Sequence, residues 1–300
     1  MPRPITVAVA GATGKQGGAV ARVLLDSGHR VRGLTRRPAS KAADTLSALG
    51  ADIHEADLDD VAAVRRAVEG ADAFFLVATP FEAGVEAETR QACRAVQAAK
   101  EAGVKHLVYS SVASADQYTG IPHFDSKAEV ESHIQKLGVP CTVVGPVFFM
   151  ENLVNPMFVK GLGTGTLSLP LPASRPLQWV ALQDIAGFVR IVVERPSEFL
   201  GRRIDIASDS LTGPEVANVL SQTCGRTFNY VEESLDAVRA VSADLARMWE
   251  WFGEVGYQVD IPGLVRSYPE VGWLGFRRWA EEQDWSVVES QRLEEPEARP

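Results

Sequence analysis

The chain of 300 residues is 46% hydrophobic and 23% charged with a formal charge of −9, enough for one large or two modest soluble domains. That acidic balance argues against a nucleic-acid-binding surface, which requires a basic stripe. Cys93, Cys141 and Cys224 offer neither a disulfide framework nor a CxxC metal pattern, and no apolar run is long enough to span a bilayer; with the first strand starting too early to leave room for a signal peptide, a cytoplasmic protein is expected.

From Ile5 to Val147, strand and helix patterns alternate. Strands are read at Ile5–Ala10, Arg30–Thr35, Asp52–Ala56, Ala73–Ala78, His106–Ser111 and Cys141–Val147. Helices are expected near Gly17–Ser27, Ser40–Leu49, Asp60–Glu69, Val85–Ala102 and Ser126–Leu137. Phe74-Phe75-Leu76-Val77 and Leu107-Val108-Tyr109 are apolar on both faces, as strands covered on both sides must be. The expected fold is α/β, a doubly wound parallel sheet of the Rossmann type with ligands at the carboxyl ends of its strands.

After Phe149 the texture changes. Residues 156–177, rich in Gly, Pro and Leu, read as loops and short strands. Helices are then expected over Gln183–Glu194, Pro214–Gly225 and from Leu235 to Phe252, with strands at Arg203–Ala207 and Phe228–Glu232. The expected division is a Rossmann domain over 1–155, rejoined by 178–207, and a smaller α+β substrate or partner domain over 156–177 and 208–290. Five of its aromatic residues, Trp249, Trp251, Trp273, Trp279 and Trp285, read first as core packing. Residues 291–300, with three acidic residues and two prolines, read as a frayed tail.

The most telling stretch is Ile5 to Gly18, where an apolar run enters glycines at GxxGxxG spacing, Gly11, Gly14 and Gly17, and a helical pattern follows at once. Missing Cβ atoms let backbone N–H groups approach a pyrophosphate, and the helix dipole favours its charge. A glycine triplet alone would fit a plain turn; between a strand and a helix it signals a dinucleotide. The second strand then ends Leu34-Thr35-Arg36-Arg37-Pro38, without the carboxylate that would receive a ribose 2′-hydroxyl. Two guanidinium groups suit a 2′-phosphate instead, so NADP(H) is expected over NAD(H). Asp57 and Leu58 are placed to border the adenine, and Thr79 and Pro80 to pass the pyrophosphate or ribose.

On a helix starting by His123, positions 123, 127, 130, 134 and 137 share one stripe, with Val130, Ile134 and Leu137 as its apolar members. A lysine there is costly to bury unless its charge is used. Lys127 therefore reads as a ribose contact, or as a stripe-edge residue paired with Glu131 one turn on. His123 is either a proton donor or a structural histidine at the helix start. The histidines show no metal-ligand spacing, and no metal is expected.

Several segments together resemble the NmrA-like family of atypical short-chain dehydrogenase/reductases. They are the Gly-Ala-Thr-Gly-Lys-Gln-Gly loop, Thr35-Arg36-Arg37-Pro38, Ala56-Asp57-Leu58-Asp59-Asp60, His123-Phe124-Asp125-Ser126-Lys127 and Phe148-Phe149-Met150-Glu151-Asn152-Leu153. The resemblance covers nearly the whole chain and looks closest to the family's redox-sensor branch. It implies that Thr13, Gly14, Lys15 and Gln16 cradle the phosphates beside Gly11 and that Arg36 and Arg37 hold the 2′-phosphate. Lys127 would touch the nicotinamide ribose, with Phe149, Met150, Glu151 and Asn152 flanking the nicotinamide. Arg90 aligns with a basic residue that can reach the cofactor, although a solvated helix face suits it nearly as well.

Short-chain dehydrogenases usually place a catalytic tyrosine four residues before this lysine. Here that position is His123; Tyr118 lies nine residues before Lys127, and Ser110 and Ser111 end the fifth strand without a tyrosine to assist. Two functions follow as expectations. One is an oxidoreductase-like NADP(H)-binding protein, acting if at all as a reductase of a quinone, imine or activated alkene. The other is a non-catalytic NADP(H) redox sensor regulating a partner protein. The expected partners are a small-molecule substrate or a regulated protein, with a homodimer as a further option; neither nucleic acid nor a membrane is expected.

Overall fold

The computed structural model describes residues 3–293 and divides the chain into two compact units. The first comprises Met1–Pro146, Leu182–Ile206 and Ser267–Gly272; the second comprises Val147–Ala181, Ala207–Arg266 and Trp273–Pro300.

Among the described residues, the first unit is built on a seven-stranded sheet. Its strands β1 (Thr6–Val9), β2 (Arg30–Thr35), β3 (Asp52–Glu55), β4 (Ala73–Leu76), β5 (Leu107–Ser110) and β6 (Cys141–Pro146) lie in the order β3-β2-β1-β4-β5-β6, with Arg203–Ile206 added beyond β6. Every pairing is parallel. Strands β4 and β5 are buried at every residue, which is why they read as unbroken apolar runs. The connecting helices are α1 (Lys15–Asp26), α2 (Lys41–Ala48), α3 (Val61–Val68), α4 (Val85–Glu101) and α5 (Pro122–Leu137). Side chains of Ser40 and Asp60 cap α2 and α3 by accepting from Ala43 N and Ala63 N. Sequence order reverses beside β1, whose neighbours are β2 and β4. This is the switch point at which doubly wound sheets open a crevice for ligand.

Strand and helix positions follow the sequence expectation closely, but α5 begins at Pro122, not Ser126. Proline's fixed φ is pre-organised for a first helical turn, and its missing N–H is not needed there. The chain leaves the first unit at Pro146, ahead of residue 155, because Phe148–Phe149 pairs with Trp179 and Val180 in another sheet. A short return at Ser267–Gly272 had no sequence signal. Tyr268 anchors it, its ring 5.1 Å from Phe188 and 5.5 Å from Phe199.

In the second unit, Phe148–Phe149, Pro176–Val180 and Asp209–Thr212 form one sheet, and Thr166–Leu169 pairs in parallel with Asn229–Glu232. Residues 156–177 are not all loop and strand: Pro156–Gly163 is a helix. A Cβ on Gly161 would stand 3.1 Å from Thr166 O, so this glycine, read as a loop former, serves close packing. Helices Ile261–Ser267, Phe276–Glu282 and Ser286–Leu293 also form where none was expected. The last includes Gln291–Leu293, the start of the expected frayed tail, whose remainder lies outside the described residues. Aromatic rings fill the core, with Phe148 5.2 Å from Trp179 and 5.6 Å from Trp249.

Candidate functional site

The glycine loop sits at the switch point and is tied to both neighbours of β1. Ala10 N donates to Phe75 O (2.9 Å) and Ala12 N to Leu34 O (3.2 Å). Gly11 adopts φ 59°, a left-handed turn that favours glycine. A Cβ on Gly17 would lie 2.3 Å from Gly11 O, so helix α1 can start this close to the loop only with glycine there. At Gly14 the corresponding distance is 3.2 Å. Gly14 is the N-cap of α1; no side chain caps it, and the first turn holds no acidic residue. The helix therefore presents first-turn amides with no carboxylate of its own among them, and these residues fit a pyrophosphate. Gln16 Nε2 reaches Ser110 Oγ at the end of β5 (2.6 Å), fastening α1 to the far side of the crevice.

At the end of β2, Thr35 Oγ1 meets Thr13 Oγ1 at 2.9 Å and accepts from Arg37 N at 3.1 Å. Arg36 and Arg37 are exposed, and Arg36 forms an ion pair with Glu82 in the loop after β4. Asp57 Oδ1 accepts from Asp59 N (2.9 Å); Asp57 and Leu58 are half-buried. Thr79, exposed, and Pro80, half-buried, follow β4. Arg90 on α4 turns to Asp59, at 3.0 and 3.3 Å, joined there by Gln91 (3.0 Å) and Arg94 (2.8 Å). The Arg90 hydrogen bond, then that of Gln91, holds the Asp59 carboxyl at about 2. Arg90 thus packs as a helix-face ion pair.

Lys127 is buried on α5. Its Nζ donates to Ala78 O (2.7 Å), just beyond β4, and lies 2.6 Å from Glu88 Oε1. Glu88, fully buried, also accepts from Ser126 Oγ at 2.9 Å. The pairing of Lys127 with Glu131 considered from sequence does not form. Lys127 is drawn across to Glu88 on α4 and to Ala78 O. Glu131 instead accepts from Ser111 Oγ and faces Arg203 Nε at 3.5 Å. Burial pushes its carboxyl up, partly offset by the Arg203 charge. Sequence reading overlooked Glu88, although a signal existed: it falls on the buried face of α4, whose other members are Ala87, Ala92, Ala95, Val96, Ala98 and Ala99.

One turn before Lys127, half-buried His123 sets its ring 5.0 Å from Phe124, edge to face, and 6.5 Å from Phe81. Tyr118 lies on the loop after β5, 84% exposed. Phe149, Met150, Glu151 and Asn152 belong to the second unit. There Phe149 pairs with Val180, Met150 is buried, Glu151 Oε1 accepts from Trp279 Nε1 (3.1 Å) and Asn152 Oδ1 from Asn155 Nδ2 (3.2 Å). Among the described residues no cluster of His, Cys, Asp and Glu could hold a metal ion, and no helix is long and apolar enough to cross a membrane.

A parallel sheet reversing at β1, with a glycine turn and an uncapped helix N-terminus at that point, defines a Rossmann-type dinucleotide-binding protein. Within that class the chain belongs to the NmrA-like family, whose model matches residues 4–280. It is 31% identical over 255 residues to the NmrA-like family domain-containing oxidoreductase cpsB of Aspergillus campestris, covering 76% of this chain and 75% of that protein. An NAD(P)H azoreductase of Xenophilus azovorans is 30% identical over 234 residues, 78% of this chain and 79% of that one. Among solved structures, NmrA, a negative transcriptional regulator in complex with NADP, matches with a TM-score of 0.77 at 24% identity, covering 95% of this chain and 99% of that one. The last likeness establishes the shared fold.

Proposed function

We propose that the chain binds NADP(H) and acts as an oxidoreductase-like protein, passing hydride to an acceptor that needs no buried tyrosine acid: a quinone, an imine or an activated alkene. The observation that carries the reading is the glycine cradle at the switch point together with the Lys127 ammonium held at the end of β4, 2.7 Å from Ala78 O. The cradle receives the pyrophosphate, Arg36 and Arg37 receive the 2′-phosphate, and Lys127 meets the nicotinamide ribose. With His123 in place of tyrosine, ordinary ketone reduction lacks its usual acid, and acceptors whose reduced form is stable without one remain. The named activities of the two catalytic relatives, an oxidoreductase and an azoreductase, support this direction.

A second reading is a non-catalytic NADP(H) sensor whose occupancy alters its hold on a protein partner. It draws on the same missing tyrosine and on the fold shared with a transcriptional regulator. One experiment separates the two: purified protein is mixed with NADPH and a panel of quinones, imines and activated alkenes, and nicotinamide absorbance is followed. Steady consumption is expected. Tight binding with only background oxidation would favour the sensor, and failure to bind either cofactor would overturn both.

A further inference from the structure

We infer that Glu88 is a positioning residue: wholly buried and out of reach of any ligand, it fixes the Lys127 ammonium in the orientation that the cofactor uses. The inference rests on the reading that Lys127 meets the nicotinamide ribose. Glu88 stands in the first turn of α4, where the unpaired amides of the helix start favour a carboxylate. Both its oxygens are committed to α5: Oε1 lies 2.6 Å from Lys127 Nζ, and Oε2 accepts from Ser126 Oγ at 2.9 Å. Lys127 in turn donates to Ala78 O at 2.7 Å. An ammonium has three N–H groups in tetrahedral array. Ala78 O accepts one of them, and the Glu88 charge draws the head group from a second side, so the place of the ammonium is set before any ligand arrives.

Stability alone explains this arrangement poorly. A buried ion pair barely offsets its own desolvation, and apolar side chains of similar volume would hold the two helices at least as well. What the pair supplies is order. A free lysine chain samples many rotamers, and freezing it when a ligand arrives weakens binding. With Glu88 in place that ordering is complete beforehand, while a tenth of the Lys127 side chain stays accessible.

The test is a double-mutant cycle read by calorimetry with NADPH and NADH on wild type, Glu88→Gln, Lys127→Met and the double variant. Glu88→Gln should weaken both cofactors by the same factor, roughly fivefold or more, since both carry the nicotinamide ribose. In the Lys127→Met background the Glu88 change should have no further effect. A residue that merely stiffens the fold would give the same loss in either background, and that result overturns the inference, as does wild-type affinity in Glu88→Gln beside a weakened Lys127→Met. Wild-type affinity in Lys127→Met overturns the cofactor reading beneath it. Should Glu88→Gln not fold, Ser126→Ala releases Oε2 while keeping both charges. It should show the same paired loss, again absent without Lys127, and an equal loss without Lys127 overturns the inference.

Discussion

Thr13 Oγ1 and Thr35 Oγ1 meet at 2.9 Å, joining the turn after β1 to the end of β2. Thr35 also accepts from Arg37 N, so one hydroxyl sets the glycine loop and the arginine pair in register. Arg36 is held meanwhile by Glu82, an exposed pair worth only ~0–1 kcal/mol, which a 2′-phosphate can readily replace.

NADPH should therefore bind at least about tenfold more tightly than NADH, since each charge-assisted bond contributes ~1.5–3 kcal/mol. Arg36→Ala with Arg37→Ala should abolish that preference and leave NADH affinity near wild type. Thr35→Val keeps the shape of the side chain but loses both hydrogen bonds, and should weaken NADPH by several-fold, on the order of 1 kcal/mol. Calorimetry with the two cofactors measures all three; equal wild-type affinities would refute the arginine assignment.

Two glycines of the loop should fail in different ways. A Cβ at position 17 would meet backbone oxygens of Gly11 and Ala10 at 2.3 and 2.6 Å, and backbone cannot swing aside. Gly17→Ala should then destabilise the first unit by about 1–3 kcal/mol, as overpacking does, and lose NADPH as well. At Gly14 the nearest contact is 3.2 Å, so Gly14→Val should fold and still fail to bind, its branched side chain filling the pyrophosphate's approach. Circular dichroism paired with calorimetry distinguishes the two patterns. A folded Gly14→Val that binds NADPH like wild type would show the loop to be misassigned.

The first unit was readable because its cues are local. A strand covered on both faces is apolar throughout, a helix between strands shows its stripe, and the glycine turn lies within a few residues of both. The second unit showed its helices over Gly213–Cys224 and Ala243–Glu254 but hid others behind residues with two uses. Gly161 reads as a loop former, yet its missing Cβ lets a helix approach Thr166. In the site, the ends of β1, β2 and β4 were legible from sequence, but the partner of Lys127 was not. Glu88 lies 39 positions away, and helical spacing speaks only for neighbours on one helix. Arg90 illustrates the same limit: its carboxylate, Asp59, stands on the loop after β3.

His123 occupies the position one turn before Lys127 and is half-buried against Phe124. If its imidazole supplies the proton in turnover, His123→Gln should lower the rate by about 10²-fold or more, with NADPH affinity unchanged. Steady-state rates beside calorimetry provide the check. An unchanged rate would assign the ring to packing.

Acid sensitivity should trace in part to a histidine far from this chemistry. His106 is 2% exposed, and its Nε2 lies 2.8 Å from Thr142 Oγ1. The Thr142 hydroxyl donates to Phe199 O at 2.9 Å, so it can only accept from the ring, which places the proton on Nε2. Nδ1 is buried without a hydrogen-bond partner among the described residues. Burial lowers the imidazole from 6.5 to about 4. Near neutral pH both folded and unfolded chains hold it uncharged. As pH falls through about 6.5 the unfolded chain takes up a proton that the folded one refuses until about 4, so stability drains across that window by about 3 kcal/mol. Glu131 and Asp205, pushed up by burial, act in the opposite sense, binding protons more readily when folded. Asp59, held at about 2, withdraws its contribution only below its ordinary value of 3.8. His106→Gln keeps a donor for Thr142 and does not titrate in this range, so subtracting its denaturation curves from wild type isolates the histidine. The stability of wild type relative to the variant should fall as pH drops from about 7 to about 4.5, and parallel curves over that range would show that His106 does not carry the loss.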